Sequence, residues 1–410
     1  MKPILTLAFC GFAGGLFCST PFAQPAAPSF AGNRAPSVAA AVEAAWQRSV
    51  QSRSAAGQLD LAKANQSAAS TLWAAPPSVD VSRRSDHGNE SVGLRESEIG
   101  LSWPLLLPGQ RSARGTAAQS ELDVAENSRL LAKLRIAGEV REAAWELIAR
   151  QSEQKVADAQ ASSLQALADD VERRVKSGDL ARADALAARA EQLAATAVAT
   201  DARQRLQNAR SHWRLLTAVE PLTDANESAP DTAPARHPEL ALAIAASEAA
   251  RNKLNLVRAS RMDPPELSMR FRQETPGTGL PAQNSVAVGI RIPFGTSDRN
   301  LPREAAARSE LDIARSTEER LRERLEAEAD VARAAVLSAE QQQRAEESRA
   351  ELLRERARLF DKSFRAGDTS LPDLLRAATA AAQAEAGFAR QQAAVGLARA
   401  RLQQSIGRLP

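Results

Sequence analysis

The chain has no tyrosine, two cysteines and three histidines in 410 residues, and aromatic side chains make up 4% of it. Both cysteines, Cys10 and Cys18, fall within the first eighteen residues. Disulfide frameworks, thiolate metal sites and a thiol nucleophile are therefore excluded from the remainder. His87, His212 and His237 lie far apart in sequence and Met262 and Met269 add no chelating cluster, so no metal site is expected. Neither sign of charge dominates: 53 basic residues stand against 50 acidic ones, a net charge of +3. That balance fits neither a polybasic nucleic-acid binder nor an acidic disordered tail. Alanine supplies much of the 44% hydrophobic content and buries little area per residue, so a thick globular core is not expected. No stretch beyond the N-terminus approaches the roughly 20 apolar residues of a membrane-spanning helix. Any passage through a bilayer must be made by strands. No Gly-rich phosphate loop follows a strand, no two histidines have metal-ligand spacing, and no serine has a recognisable histidine partner. The sequence offers no catalytic residues and calls for no cofactor.

Lys2 precedes an apolar run from Ile4 to Phe17, and small residues with Pro21 follow. This is the layout of a secretory signal over residues 1–23, with a linker over 24–37. Ala23 suits a cleavage site and Pro21 does not. Cys18 after Gly15-Leu16-Phe17 can be read as a lipid-attachment box, against which bulky Phe17 argues.

What the sequence does contain is written twice. Ile99-Gly100-Leu101-Ser102-Trp103-Pro104 reads like Val288-Gly289-Ile290-Arg291-Ile292-Pro293, and Val175-Lys176-Ser177-Gly178-Asp179 reads like Phe364-Arg365-Ala366-Gly367-Asp368. Both pairs are offset by the same 189 positions, which also places Asp184 on Asp373. The chain therefore reads as two copies of one unit, over 38–218 and 239–410, joined by a Pro-rich connector over 219–238. Each copy runs helix, β-hairpin, long helical hairpin. Strands are expected at about 78–103 and 265–293, and helical hairpins at about 111–218 and 302–408. Arg111 to Lys176 contains no proline and is rich in strong helix formers, for about 100 Å of helix. The matching arm is expected to start at Pro302, where a helix tolerates proline. Gly178 and Gly367 are read as C-terminal caps, with Asp179, or Thr369 and Ser370, capping the returning helices. Leu122, Leu130, Leu134, Trp145 and Ile148 form a narrow seam diluted with alanine, suited to coiled-coil packing.

In the second hairpin Leu267, Met269 and Phe271 alternate with Ser268, Arg270 and Arg272, and Val286, Val288, Ile290 and Ile292 alternate with Ala287, Gly289 and Arg291. A half-buried sheet over a soluble core and a lipid-facing strand both produce this pattern. The export signal and the strand length of about nine residues favour lipid. The first hairpin is weaker, with Arg83 breaking its apolar face, and Trp73, Trp103 and Phe294 lie where either an aromatic belt or a core would be. Four strands cannot close a barrel, so lipid-facing strands require several chains to share one.

On these features the sequence resembles the TolC family of outer-membrane efflux proteins. The likeness rests on the doubled layout, the corners Trp103-Pro104-Leu105 through Gly109 and Ile292-Pro293-Phe294-Gly295, and the Gly-centred turns followed by Asp184 and Asp373. The compact length resembles the heavy-metal efflux subgroup typified by CzcC. The resemblance implies an α+β membrane protein, a homotrimer whose twelve strands form one barrel in the outer membrane and whose helices continue as a tunnel into the periplasm. It implies a passive duct fed by an inner-membrane pump of the resistance-nodulation-division (RND) type through a periplasmic adaptor, or membrane fusion protein. The adaptor would dock at the tips Ser177, Gly178 and Asp179, and Ala366, Gly367 and Asp368. Asp184, Asp373 and Arg376 would lie at the periplasmic constriction, where Arg376 replaces the second carboxylate of the gate and would pair with Asp373. Asp184 equally suits a solvated helix face. Arg270, Arg272 and Arg291 would put positive charge on the barrel lumen. The competing readings are a soluble periplasmic coiled-coil adaptor or a structural spacer. An adaptor needs a lipoyl-like or barrel domain between its helical arms, where this chain has single hairpins.

Overall fold

A computed structural model describes residues 37–86, 93–222, 225–227, 237–277, 279–295 and 297–410. The signal segment with Cys18, linker residues 24–36, and His87 lie outside the described residues. The elements are α1 (Val38–Arg48), α2 (Val50–Ala69), β1 (Ser78–Ser85), β2 (Arg95–Pro104), α3 (Gln110–Ser177), α4 (Arg182–Thr217), α5 (Pro238–Ala259), β3 (Glu266–Thr275), β4 (Gln283–Arg291), α6 (Ser297–Ala366) and α7 (Leu371–Ser405). No helix among the described residues is long and apolar enough to cross a membrane.

Helices α3 and α6, at 68 and 70 residues, are each about 100 Å long. Shorter helices flank them end to end: α2 and α4 lie along α3, and α5 and α7 along α6. Helix α3 also packs on α5 and α7, so the helices form a row with α2 and α4 at one edge and α6 at the other. Three local outcomes differ from the sequence reading. The first helical stretch breaks at Ser49, whose hydroxyl caps α2 by accepting the Ser52 N–H at 3.0 Å while it donates to the Trp46 carbonyl. Helix α6 starts at Ser297, leaving Pro302 inside it; a proline this close to the N-terminus sacrifices about one intrahelical bond. Leu130 is exposed, whereas Leu134 and Trp145 of the same seam are buried.

The four strands form one antiparallel meander in the order β1-β2-β3-β4. The hairpins of the two halves pair with each other through β2 and β3, leaving β1 and β4 as open edges. Strand β4 ends at Arg291, so Ile292 lies just beyond the ladder.

Three apolar clusters hold the helices. The largest joins α1 (Val42, Trp46), the middle of α3 (Val140, Trp145, Leu147), the end of α4 (Leu206, Trp213) and the connector residues Leu222 and Ala225. The Trp213 indole N–H donates to the carbonyls of Val219 and Glu220, fastening the connector to α4. Arg141, 2% exposed, spans this region. Its guanidinium makes a bidentate pair with Glu227 at 2.6 and 2.7 Å and donates to Gln404 and to the Arg408 carbonyl. Gln404 in turn donates to the Leu134 carbonyl. One buried cation thus ties the middle of α3 to the connector and to the end of α7.

Candidate functional site

The strand register sorts every sheet residue onto one of two faces. On one face the cross-strand rows are Trp103-Leu267-Ile290, then Val79-Leu101-Met269-Val288, then Val81-Ile99-Phe271-Val286. These are three consecutive apolar rows. Nothing covers them: Val288 is 70% and Val81 75% exposed, and no helix packs on either face of the sheet among the described residues. An uncovered apolar sheet of this breadth is a surface that water disfavours. Trp73, bridged to Leu105, and the exposed Phe294 lie at the helix end of the strands.

The opposite face holds Arg270, Arg272 and Arg291, but it is not a cationic surface. Arg272 pairs with Glu96 at 2.9 Å and Glu274 at 2.8 Å, Arg270 lies 3.7 Å from Glu98, and Arg291 lies 3.5 Å from Glu266. Across all four strands five carboxylates (Asp80, Glu96, Glu98, Glu266, Glu274) share this face with four guanidiniums (Arg84, Arg270, Arg272, Arg291). The arginines of the second hairpin do not by themselves set the charge of this face: Glu96 and Glu98 alternate with Ser97 and Ile99, which assigns them to the same face. The expected excess of positive charge is replaced by a nearly balanced ladder of ion pairs.

At the far end of the helices, Gly178 and Gly367 both adopt φ +89°. Each donates to the carbonyl three residues earlier (Val175 and Phe364, both 3.1 Å), and the following Asp179 and Asp368 donate back to Arg174 and Ser363. This double bond pattern closes a helix on a left-handed residue, a conformation glycine adopts without the Cβ penalty. The residues after the turns diverge. Ser370 caps α7 as expected, whereas the cap position of α4 is Ala181 and not Asp179, whose carboxylate accepts the Ser177 hydroxyl at 2.8 Å. The two tips share one apolar cluster, with Leu164, Val171 and Ala188 against Phe364, Leu371 and Leu374, and Arg174 lies over the Phe364 ring at 5.2 Å.

The acidic positions beyond the tips are both locally occupied. Asp184 accepts the Ala181 N–H at 3.2 Å, which satisfies an orphan donor of the first turn of α4. Asp373 uses both oxygens: one accepts the Ser370 hydroxyl at 2.5 Å and the other the Arg376 guanidinium at 2.6 Å. Arg376 thus offsets the charge of Asp373 within one helical turn, through an exposed pair that contributes little to stability. No cluster of metal-ligating side chains occurs among the described residues.

No family model matches the chain, and no curated protein matches it in sequence. Solved structures do match in fold. The outer membrane protein VceC from Vibrio cholerae superposes with a TM-score of 0.75 at 15% identity, over 90% of this chain and 96% of its own. The Campylobacter jejuni CmeC outer membrane channel gives 0.73 at 14% identity, over 99% and 94%. The open state of the Neisseria gonorrhoeae MtrE outer membrane channel gives 0.71 at 16% identity, over 91% and 89%. The fold of this chain is that of the protomers of such channels.

Proposed function

We propose that the chain is an outer-membrane exit duct, a channel that closes only as a homotrimer and conducts passively between periplasm and exterior. The observation that carries this reading is the three-row apolar face, which none of the described residues cover, on a sheet whose two edge strands find no further strand among them. Lipid is the solvent that accepts such a face, and open strand edges do not survive in lipid. Three copies would join β4 of each to β1 of the next in a barrel of twelve strands, and the helical row would close into a tunnel reaching into the periplasm. The exposed large apolar side chains support this closure: Leu61 on α2, Leu186 and Leu193 on α4, and Ile313, Val331 and Leu352 on α6 all belong to the edge helices of the row.

In this duct the two units 38–218 and 239–410 act as equivalent wall segments. The tips around Gly178 and Gly367 receive the hairpin of a periplasmic adaptor linked to an inner-membrane pump of the RND type. Asp373, Arg376 and Asp184 line the narrow end, and the ion-paired face of the sheet lines the barrel.

Fractionation and conductance test the proposal together. The full-length protein should remain with outer membranes after a high-salt wash, require detergent for extraction and form discrete ion-conducting steps in planar bilayers. A single subunit that stays in solution without any amphiphile would instead identify a soluble coiled-coil protein.

A further inference from the structure

The apolar face of the sheet carries two charged residues, Arg83 and Arg95, and all five carboxylates of the sheet lie on the other face. The register sets Arg83 opposite Ser97 and Arg95 opposite Ser85, so the two arginines are diagonal neighbours on adjacent strands. Such neighbours are about 7–8 Å apart, close enough for two long side chains to converge on one ligand. Both are exposed, and neither makes an ion pair among the described residues. The adjacent Arg84 points the opposite way, in the row of Glu96. Three of the four cations of the polar face, Arg270, Arg272 and Arg291, are therefore paired within the fold, and Arg83 and Arg95 are not. Two guanidiniums side by side on an apolar surface repel each other unless an anion from outside the chain lies between them.

Their height on the strands indicates which anion. Arg83 occupies the first row beyond the three apolar rows, at the end away from the helices, and Arg95 occupies the next. Three rows span only about 20 Å along the strand, less than the roughly 25 Å band of an outer-membrane barrel. An arginine one row further on lies at the edge of the hydrocarbon, from where its stem can extend the charge into the headgroup layer. The corresponding positions of the second hairpin, Gln273, Thr275 and Asn284, are neutral, so each chain presents one such pair. The helix end of the same face carries Trp73 and Trp103 and no cation.

We propose that Arg83 and Arg95 form a binding site for a lipid headgroup phosphate in the leaflet at the hairpin ends, three sites per closed ring. This rests on the membrane reading above. The probe is bis-phosphorylated lipid A, titrated into the detergent-solubilised full-length protein and followed by native mass spectrometry, with the fully dephosphorylated lipid and inorganic phosphate as separate arms. The phosphorylated lipid should bind at least tenfold more tightly than the dephosphorylated one. The double variant Arg83→Gln, Arg95→Gln should lose that preference, and Arg84→Gln should keep it. Equal binding of both lipids by the wild type, or an unchanged preference in the double variant, would overturn the site, as would saturation of the arginines by inorganic phosphate with no lipid preference. A protein that enters no bilayer would overturn the membrane reading itself, an outcome separate from insertion without selective binding.

Discussion

Arg141 shows how much of the junction depends on one side chain. A guanidinium withdrawn from water is tolerable only because Glu227, Gln404 and the Arg408 carbonyl take up its donors. Arg141→Ala leaves Glu227 without its partner and should destabilise the protein by about 3–5 kcal/mol, read from chemical denaturation in detergent. The isosteric pair Arg141→Met with Glu227→Gln should recover much of the loss. Nearby, His237 caps α5: its Nδ1 accepts the Glu239 N–H at 3.1 Å, which requires that nitrogen to be unprotonated. Burial lowers the His237 pKa, against the opposing pull of the Glu239 and Glu328 carboxylates and of a backbone contact to Gln404, while Arg324 lowers it further. A histidine with a lowered folded pKa binds its proton more readily in the unfolded chain, so its contribution is fully present above the unfolded value near 6.5 and is lost as pH falls toward the folded value. Thermal midpoints should therefore drop on acidification below pH 6.5. His237→Asn, which caps without titrating in this range, should flatten that part of the profile; an unchanged slope would remove His237 from the account.

At the scale of elements, the packing of α7 on α3 is set by the smallest residue available. A Cβ at Gly396 would lie 2.1 Å from the Trp145 ring, so Gly396→Ala forces the indole or the helix to shift and should cost about 1–3 kcal/mol in the same denaturation assay. At the tips the constraint is conformational: a Cβ at Gly178 or Gly367 meets nothing within 4 Å, yet both residues are left-handed. A valine at either should cost about 1–2 kcal/mol, and it should reduce cross-linking to an adaptor more than a valine at exposed Ala197 in the middle of α4. These turns were legible in the sequence because glycine, a following aspartate and a fixed spacing recur where a long proline-free helix must reverse. The strands were legible because alternation fixes a face. The ion-pair ladder was legible only in part, since Arg270 and Arg272 are assigned by parity within their strand, whereas their neutralisation by Glu96 and Glu98 depends on β2 pairing with β3 across more than 160 positions. The Arg141 junction left no signal at all: Arg141, Glu227 and Gln404 are ordinary polar residues until the fold brings the connector and the end of α7 to the middle of α3. Likewise Pro302 signalled a helix start, and the helix instead begins five residues earlier because only about one bond is lost so near its end.

The folded body from residue 37 onward is an unfinished wall. Every layer has two open sides: β1 and β4 in the sheet, and α2 with α4 against α6 in the helical row. The apolar residues that a monomer would be expected to hide are distributed accordingly. Among the helices, large exposed hydrophobic side chains fall on α2, α4 and α6, with Leu130 of α3 the exception among the described residues. If association of copies is what removes them from water, charges introduced there should separate assembly from folding. Leu193→Glu on α4 and Leu352→Glu on α6 alter side chains that are already exposed in the single chain, so helicity measured by circular dichroism should be retained. The trimer measured by light scattering in detergent should dissociate, because a carboxylate desolvated at an interface without a partner costs several kcal/mol per site. Leu130→Glu, also at an exposed position but on an interior helix of the row, should leave the assembly intact. Dissociation by the edge variants alone would place the subunit boundary between α4 and α6. An intact trimer in both edge variants would mean that the row closes along some other surface.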